Sequence, residues 1–163
     1  MTRSATASEH SHFPLDVDYA SKVGVYFYNI APNALNNKWT FTGDRKYICI
    51  FLQYIKDRVR VCAWERLCTI KGHNLLEDYG AVTIQDCILE RNQRRANARA
   101  MLLHNPASVS QDIYDKNASQ LMYNCIMSSI SQKVSKKLLS KHSEIDYDGP
   151  TLLRQIIADT FIT

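Results

Sequence analysis

The sequence predicts an all-α fold, a multi-helix bundle resting on three observations. Apolar residues recur at three- and four-residue steps in four stretches, near residues 44–64, 84–103, 110–140 and 150–161. Residues suited to starting a helix stand before three of these stretches. Only five Gly and four Pro interrupt 163 residues, too few for a many-turned β sandwich. A chain of this length with 45% hydrophobic residues can enclose one core, so residues 19–163 are expected to form a single domain.

Residues 1–18 are small, polar and aperiodic, and are expected to form a flexible arm, since such residues gain too little burial to offset ordering. The run Val23-Gly24-Val25-Tyr26-Phe27-Tyr28-Asn29-Ile30 is β-branched and aromatic. It suits either a short strand over 23–30 or an extended segment lying on helices. Thr42-Gly43-Asp44 supplies cap chemistry for the first helix, whose stripe is Tyr47, Ile48, Phe51, Leu52, Ile55, Val59 and Cys62. Lys46, Gln53, Lys56, Asp57 and Arg60 take the opposite, solvated face. Trp64 closes that helix near the core, and Gly72 breaks the short apolar piece that follows.

The next start is the sharpest in the chain. Thr83 is the N-cap, Asp86 falls at the third helical position, and Val82 with Cys87 can form a hydrophobic staple. Asn105-Pro106 should stop this helix near Leu103. Ile113, Tyr114, Ala118, Leu121, Met122, Cys125, Ile126, Ile130, Val134 and Leu138 then trace one apolar stripe, which predicts a single long helix as the spine of the domain. Asp148-Gly149-Pro150 announces the last helix, with Pro in the first turn, where its missing N–H is not needed. Leu152, Leu153, Ile156, Ile157 and Phe161 give it a narrow apolar face.

No catalytic signature emerges. The chain has no phosphate-cradling G-x-x-x-x-G-K-[ST] or G-x-G-x-x-G loop, no H-E-x-x-H and no G-x-S-x-G. No carboxylate precedes a Thr-Gly or Ser-Gly turn, as an aspartic protease requires. A non-enzymatic protein without cofactor or small-molecule substrate is expected. Cys62, Cys68 and His73 come nearest to a metal cluster, but they lack a fourth ligand and the short spacing of tetrahedral zinc, so the thiols read as structural. The five cysteines are odd in number and mostly lie among apolar residues, and Met1 to His12 has no apolar signal core. Together these predict a reducing, cytoplasmic setting. No stretch reaches the ~20 apolar residues of a membrane span.

The net charge of +4 is unevenly placed: residues 91–163 hold ten Lys and Arg against six Asp and Glu. Two sets, Arg91, Arg94, Arg95 and Arg99, then Lys133, Lys136, Lys137 and Lys141, repeat at i, i+3, i+4 and i+8, and on helices each makes a one-sided row. Such rows suit phosphate contacts with RNA that carry no base readout, and equally suit a solvated helix face.

The order of elements resembles the Gag capsid region of copia-type LTR retrotransposons. The residues carrying the likeness are Lys38-Trp39-Thr40-Phe41-Thr42-Gly43-Asp44-Arg45-Lys46-Tyr47, Leu75-Leu76-Glu77-Asp78-Tyr79-Gly80-Ala81-Val82-Thr83, Gln120 through Ser131, and Tyr147-Asp148-Gly149-Pro150-Thr151-Leu152-Leu153-Arg154-Gln155-Ile156-Ile157. It spans roughly residues 38–163. The resemblance implies a helical capsid subunit that assembles with copies of itself around element RNA and performs no catalysis. The chain departs from the pattern in ending at Thr163, where family members usually continue through a second helical half, and in lacking a Cys-Cys-His-Cys knuckle. Phe161 and Ile162, apolar at the end of the last helix, are the expected homotypic contact. The alternative is a helical nucleic-acid-binding protein, or a domesticated Gag adaptor that forms no shell.

Overall fold

The computed structural model describes residues 40–104 and 111–161, so the arm at 1–18, the segment at 23–30 and Ile162 lie outside the described residues. Five α-helices carry the described fold, with one two-residue hairpin beside them, in agreement with the all-α expectation. Asp44 opens the first helix: its carboxylate accepts the Lys46 amide at 3.1 Å, and a 3-10 turn over Arg45–Tyr47 leads into α1 (Ile48–Cys62). Ile48, Phe51, Leu52, Ile55, Val59 and Cys62 are buried as the stripe predicts. Tyr47 is exposed instead, because a turn of three residues rotates it off the α-helical stripe.

Helix α1 stops at Ala63, which takes the left-handed conformation at φ 57°. The Trp64 amide donates back to the Val59 carbonyl at 2.9 Å, and the Trp64 side chain is buried. This is a Schellman-type stop built on alanine where glycine is usual. Beyond it, β1 (Thr69–Ile70) pairs antiparallel with β2 (His73–Asn74). Lys71 and Gly72 form the two-residue turn, both with positive φ (54° and 77°), as the mirror-image turns of tight hairpins require.

Helix α2 (Ile84–His104) starts as its sequence announces. The Thr83 hydroxyl accepts the Asp86 amide at 3.0 Å and the Asp86 carboxylate accepts the Thr83 amide at 2.9 Å, a closed capping box. Val82 and Cys87 are both buried on either side of it.

The single long helix expected over 110–140 is instead two: α3 (Gln111–Met127) and α4 (Gln132–Lys141). Serine chemistry makes the break. The hydroxyls of Ser128 and Ser129 both donate to the Cys125 carbonyl, at 2.8 and 2.6 Å, and Ser131 caps α4 by accepting the Val134 amide at 3.3 Å. The freed backbone is taken up by Phe41, whose amide donates to Ser129 O at 2.8 Å and whose carbonyl accepts from Ser131 N at 2.9 Å. Phe41 and Ile130 thus form an isolated parallel bridge, and the Phe41 ring stacks on Phe51 with centroids 4.7 Å apart.

Helix α5 (Gly149–Phe161) is the central element rather than a helix with one narrow apolar face. Leu152, Leu153, Ile156 and Ile157 are buried, and so are Thr151, Gln155 and Thr160 on its other sides. It packs against both α2 and α3, which also pack on each other. Its buried polar groups are satisfied locally, Thr160 donating to Ile156 O at 2.7 Å and Gln155 to Asp159 at 2.9 Å. The Arg154 guanidinium reaches the Val82 carbonyl at 2.7 Å and ties α5 to the head of α2.

Candidate interaction surfaces

The arginine row of α2 does not face solvent as a unit. Arg91 is buried and its guanidinium donates to the carbonyls of Glu144 and Ile145. Arg94, also buried, pairs with Asp148 at 3.2 Å, and Arg95 holds both the side chain and the backbone oxygen of Asp146 at 2.6 and 2.7 Å. Three of the four arginines therefore clamp the 144–148 segment that leads into α5. Only Arg99 is left exposed, so the row expected to meet phosphates is chiefly an internal fastening.

Asp148 is the centre of that fastening. Its carboxylate accepts from Arg94 on α2, from Ser119 on α3 at 2.6 Å, and from the amide and hydroxyl of Thr151 on α5. The Ser119 hydroxyl in turn accepts the Gly149 amide at 3.3 Å. One buried carboxylate thereby joins all three central helices and caps the last. A Cβ on Gly149 would stand 2.6 Å from Met122 Cγ and 2.7 Å from its Cβ, so α5 enters against α3 where only glycine fits.

Lys133, Lys136, Lys137 and Lys141 do form an exposed row on α4, with no ion pair among the described residues. Lys133 and Lys137 border a groove of about 210 Å³ whose lining includes Thr42, Gly43 and Asp159. The carboxylate of Asp159 pairs with His142 at 3.2 Å, so the groove carries both signs of charge and is no dedicated anion pocket.

The thiols sit as structural groups. Burial pushes the Cys62 thiol well up and raises Cys68 and Cys87 to about 12, which keeps all three protonated and unreactive. Cys49 alone is exposed. His73 bonds to Asp78 at 3.2 Å, and among the described residues no three side chains are grouped to hold a metal. Tyr114 and Tyr123 are buried, and burial raises the Tyr114 hydroxyl to about 12, so neither is a base-stacking platform. Phe161 stacks on Tyr79 with centroids 6.1 Å apart and lies beneath the Arg45 guanidinium, and it keeps 39% of its surface exposed.

Sequence reasoning missed a different set of apolar residues. Leu89 is 58% exposed and Leu103 is 78% exposed on α2, joined by Met101 and Leu102 near its end and by Leu139 on α4. The helical stripe of α2 gave little warning, because its core side is made of Cys87, Arg91, Arg94 and Ala98. The helix inverts the usual order, with paired arginines inward and leucines outward. Comparison of the chain with family models, curated proteins and solved structures returns no match. Among the described residues no helix is long and apolar enough to cross a membrane.

Proposed function

We propose that this chain is a structural subunit that assembles with copies of itself, as its Gag-like sequence features imply, and that it works without catalysis. The observation that carries this reading is the distribution of side chains on α2. Three of its four arginines are spent on holding the chain's own interior, while Leu89, Leu102 and Leu103 stand in solvent. Exposed leucines on a long, firmly anchored helix suit contact with another surface. Repetition of a weak contact in a closed arrangement gives a durable assembly without any strong pair. Sedimentation velocity over a hundredfold concentration range tests it: reversible association is expected, with electron microscopy of concentrated samples showing closed particles or rings. A monomer at every concentration refutes the proposal.

A second reading, contact with RNA, is supported by the α4 lysines. Replacing Lys133, Lys136, Lys137 and Lys141 by Gln should lower the log–log salt slope of RNA binding by up to about 0.7 per lost phosphate contact. Charge at Arg91 and Arg94 belongs to the core and cannot serve in that test. An unchanged slope rejects the second reading and leaves the first standing.

A further inference from the structure

Cations outside any ion pair and exposed aromatic rings meet beside the groove between α4 and α5. Lys133 and Lys137 border it on α4, and Thr42, Gly43 and Thr160 line it elsewhere. Arg45 follows Gly43 by two residues and Phe161 follows Thr160 directly, and these two touch, the guanidinium lying 5.3 Å from the ring centroid. Phe161 is also stacked on Tyr79 at 14°, so Arg45 covers a pair of rings while remaining exposed itself. Lys46 lies over the neighbouring Tyr47 ring at 5.1 Å, and Tyr47 keeps 40% of its surface in solvent. Among the described residues none of Arg45, Lys46, Lys133 and Lys137 is in an ion pair. The acid that lines the groove, Asp159, has one oxygen on His142 and the other on Gln155.

The geometry points to a site for single-stranded RNA that runs from the α4 lysines across this groove to the Arg45–Tyr47 turn, with phosphates on the cations and bases stacked on Tyr47 and on Arg45 above Phe161. The inference rests on the RNA reading of the α4 lysines and adds the part of the site that meets bases. A lysine ammonium serves a phosphate as a point charge, whereas a guanidinium plane or a phenol ring offers a flat face to any base. Such a face is of use only to a strand whose bases are free to turn outward. A duplex keeps them within its own stack, and an acidic peptide has none, so either would engage the cations alone. The 3-10 turn is what presents this surface: it carries Tyr47 off the buried stripe of α1 and sets Arg45, Lys46 and Tyr47 side by side in solvent.

Fluorescence anisotropy of the full chain with a labelled oligouridylate of about twelve nucleotides, followed across salt, separates rings from charge. Tyr47→Leu keeps an apolar side chain without the ring, and Arg45→Lys keeps the charge without the plane. Both positions are exposed, so circular dichroism melts should be unchanged, while each variant weakens binding at least about fivefold and keeps the wild-type salt slope. Lys133→Gln with Lys137→Gln should instead lower the slope, by up to about 0.7 per lost contact. An RNA duplex of matched length should bind several times more weakly than the single strand. Equal affinity for the duplex, or for polyglutamate of matched charge, overturns the stacking site. Ring variants that bind as wild type does, while the lysine variant still lowers the slope, overturn it too and leave the RNA reading standing. Ring variants that weaken binding while the lysine slope stays fixed overturn the shared track. A wild-type chain that binds no oligouridylate refutes both.

Discussion

Replacing Asp148 by Ala removes the acceptor shared by Arg94, Ser119 and Thr151. Two costs add. Loss of the side-chain cap of α5 is worth about 1 kcal/mol. The larger part is the Arg94 cation, 8% exposed, left without its 1%-exposed partner; breaking a buried pair costs about 3–5 kcal/mol in all. Against a total stability of about 5–15 kcal/mol this is about a fifth or more. With a urea slope of about 2 kcal/mol/M, the midpoint followed by circular dichroism should fall by about 2 M. Asp148→Asn keeps a capping oxygen but loses the charge, and should fall between wild type and Ala. Adding Arg94→Met to Asp148→Ala removes the stranded cation and should recover about 0.5–3 kcal/mol. A cost below about 1 kcal/mol for Asp148→Ala, or no recovery in the double variant, would refute the account of Asp148 as the joint between helices.

Gly149→Ala should destabilise by about 1–3 kcal/mol in the same urea titration despite alanine's better helix propensity, because the added Cβ runs into buried Met122. Ala63→Gly should do the opposite, raising stability by roughly 0.5–1 kcal/mol, since residue 63 sits at φ 57°. The Thr83 amide, its hydroxyl and Lys71 hold the Asp86 carboxyl below its ordinary 3.8. Its contribution is therefore complete above pH 3.8 and vanishes as pH falls through the lower folded value, so the stability gap between wild type and Asp86→Asn should close over that acidic window.

The starts of helices were the most legible features, since Asp44, Thr83 with Asp86, and Asp148 act through neighbours within three residues. Local chemistry of that kind is written in adjacent letters. The break between α3 and α4 was hidden because Ile130 stays buried after leaving the helix, so the apolar rhythm continues through Ser128–Ser131 unbroken. The Lys71-Gly72 hairpin lacks the usual Asn-Gly signal, and its strands are two residues long. The arginine row misled for another reason: periodicity places Arg91, Arg94 and Arg95 on one side but cannot say that the 144–148 carbonyls and carboxylates, some fifty residues on, wait there. Burial of Thr151, Gln155 and Thr160 in α5 was similarly invisible, because these side chains find partners within their own helix or its cap.

The Phe41 bridge couples two distant stretches of chain during folding. Its partners Ser129 and Ser131 lie about ninety residues away, so α4 gains its final seating only once a very large loop has closed. The amides of Phe41 and Ser131 bond across the same bridge and should open together, exchanging hydrogen at matched rates. Whatever loosens residues ahead of α1 will then be felt at the lysine-bearing helix, although no residue of α1 itself need move.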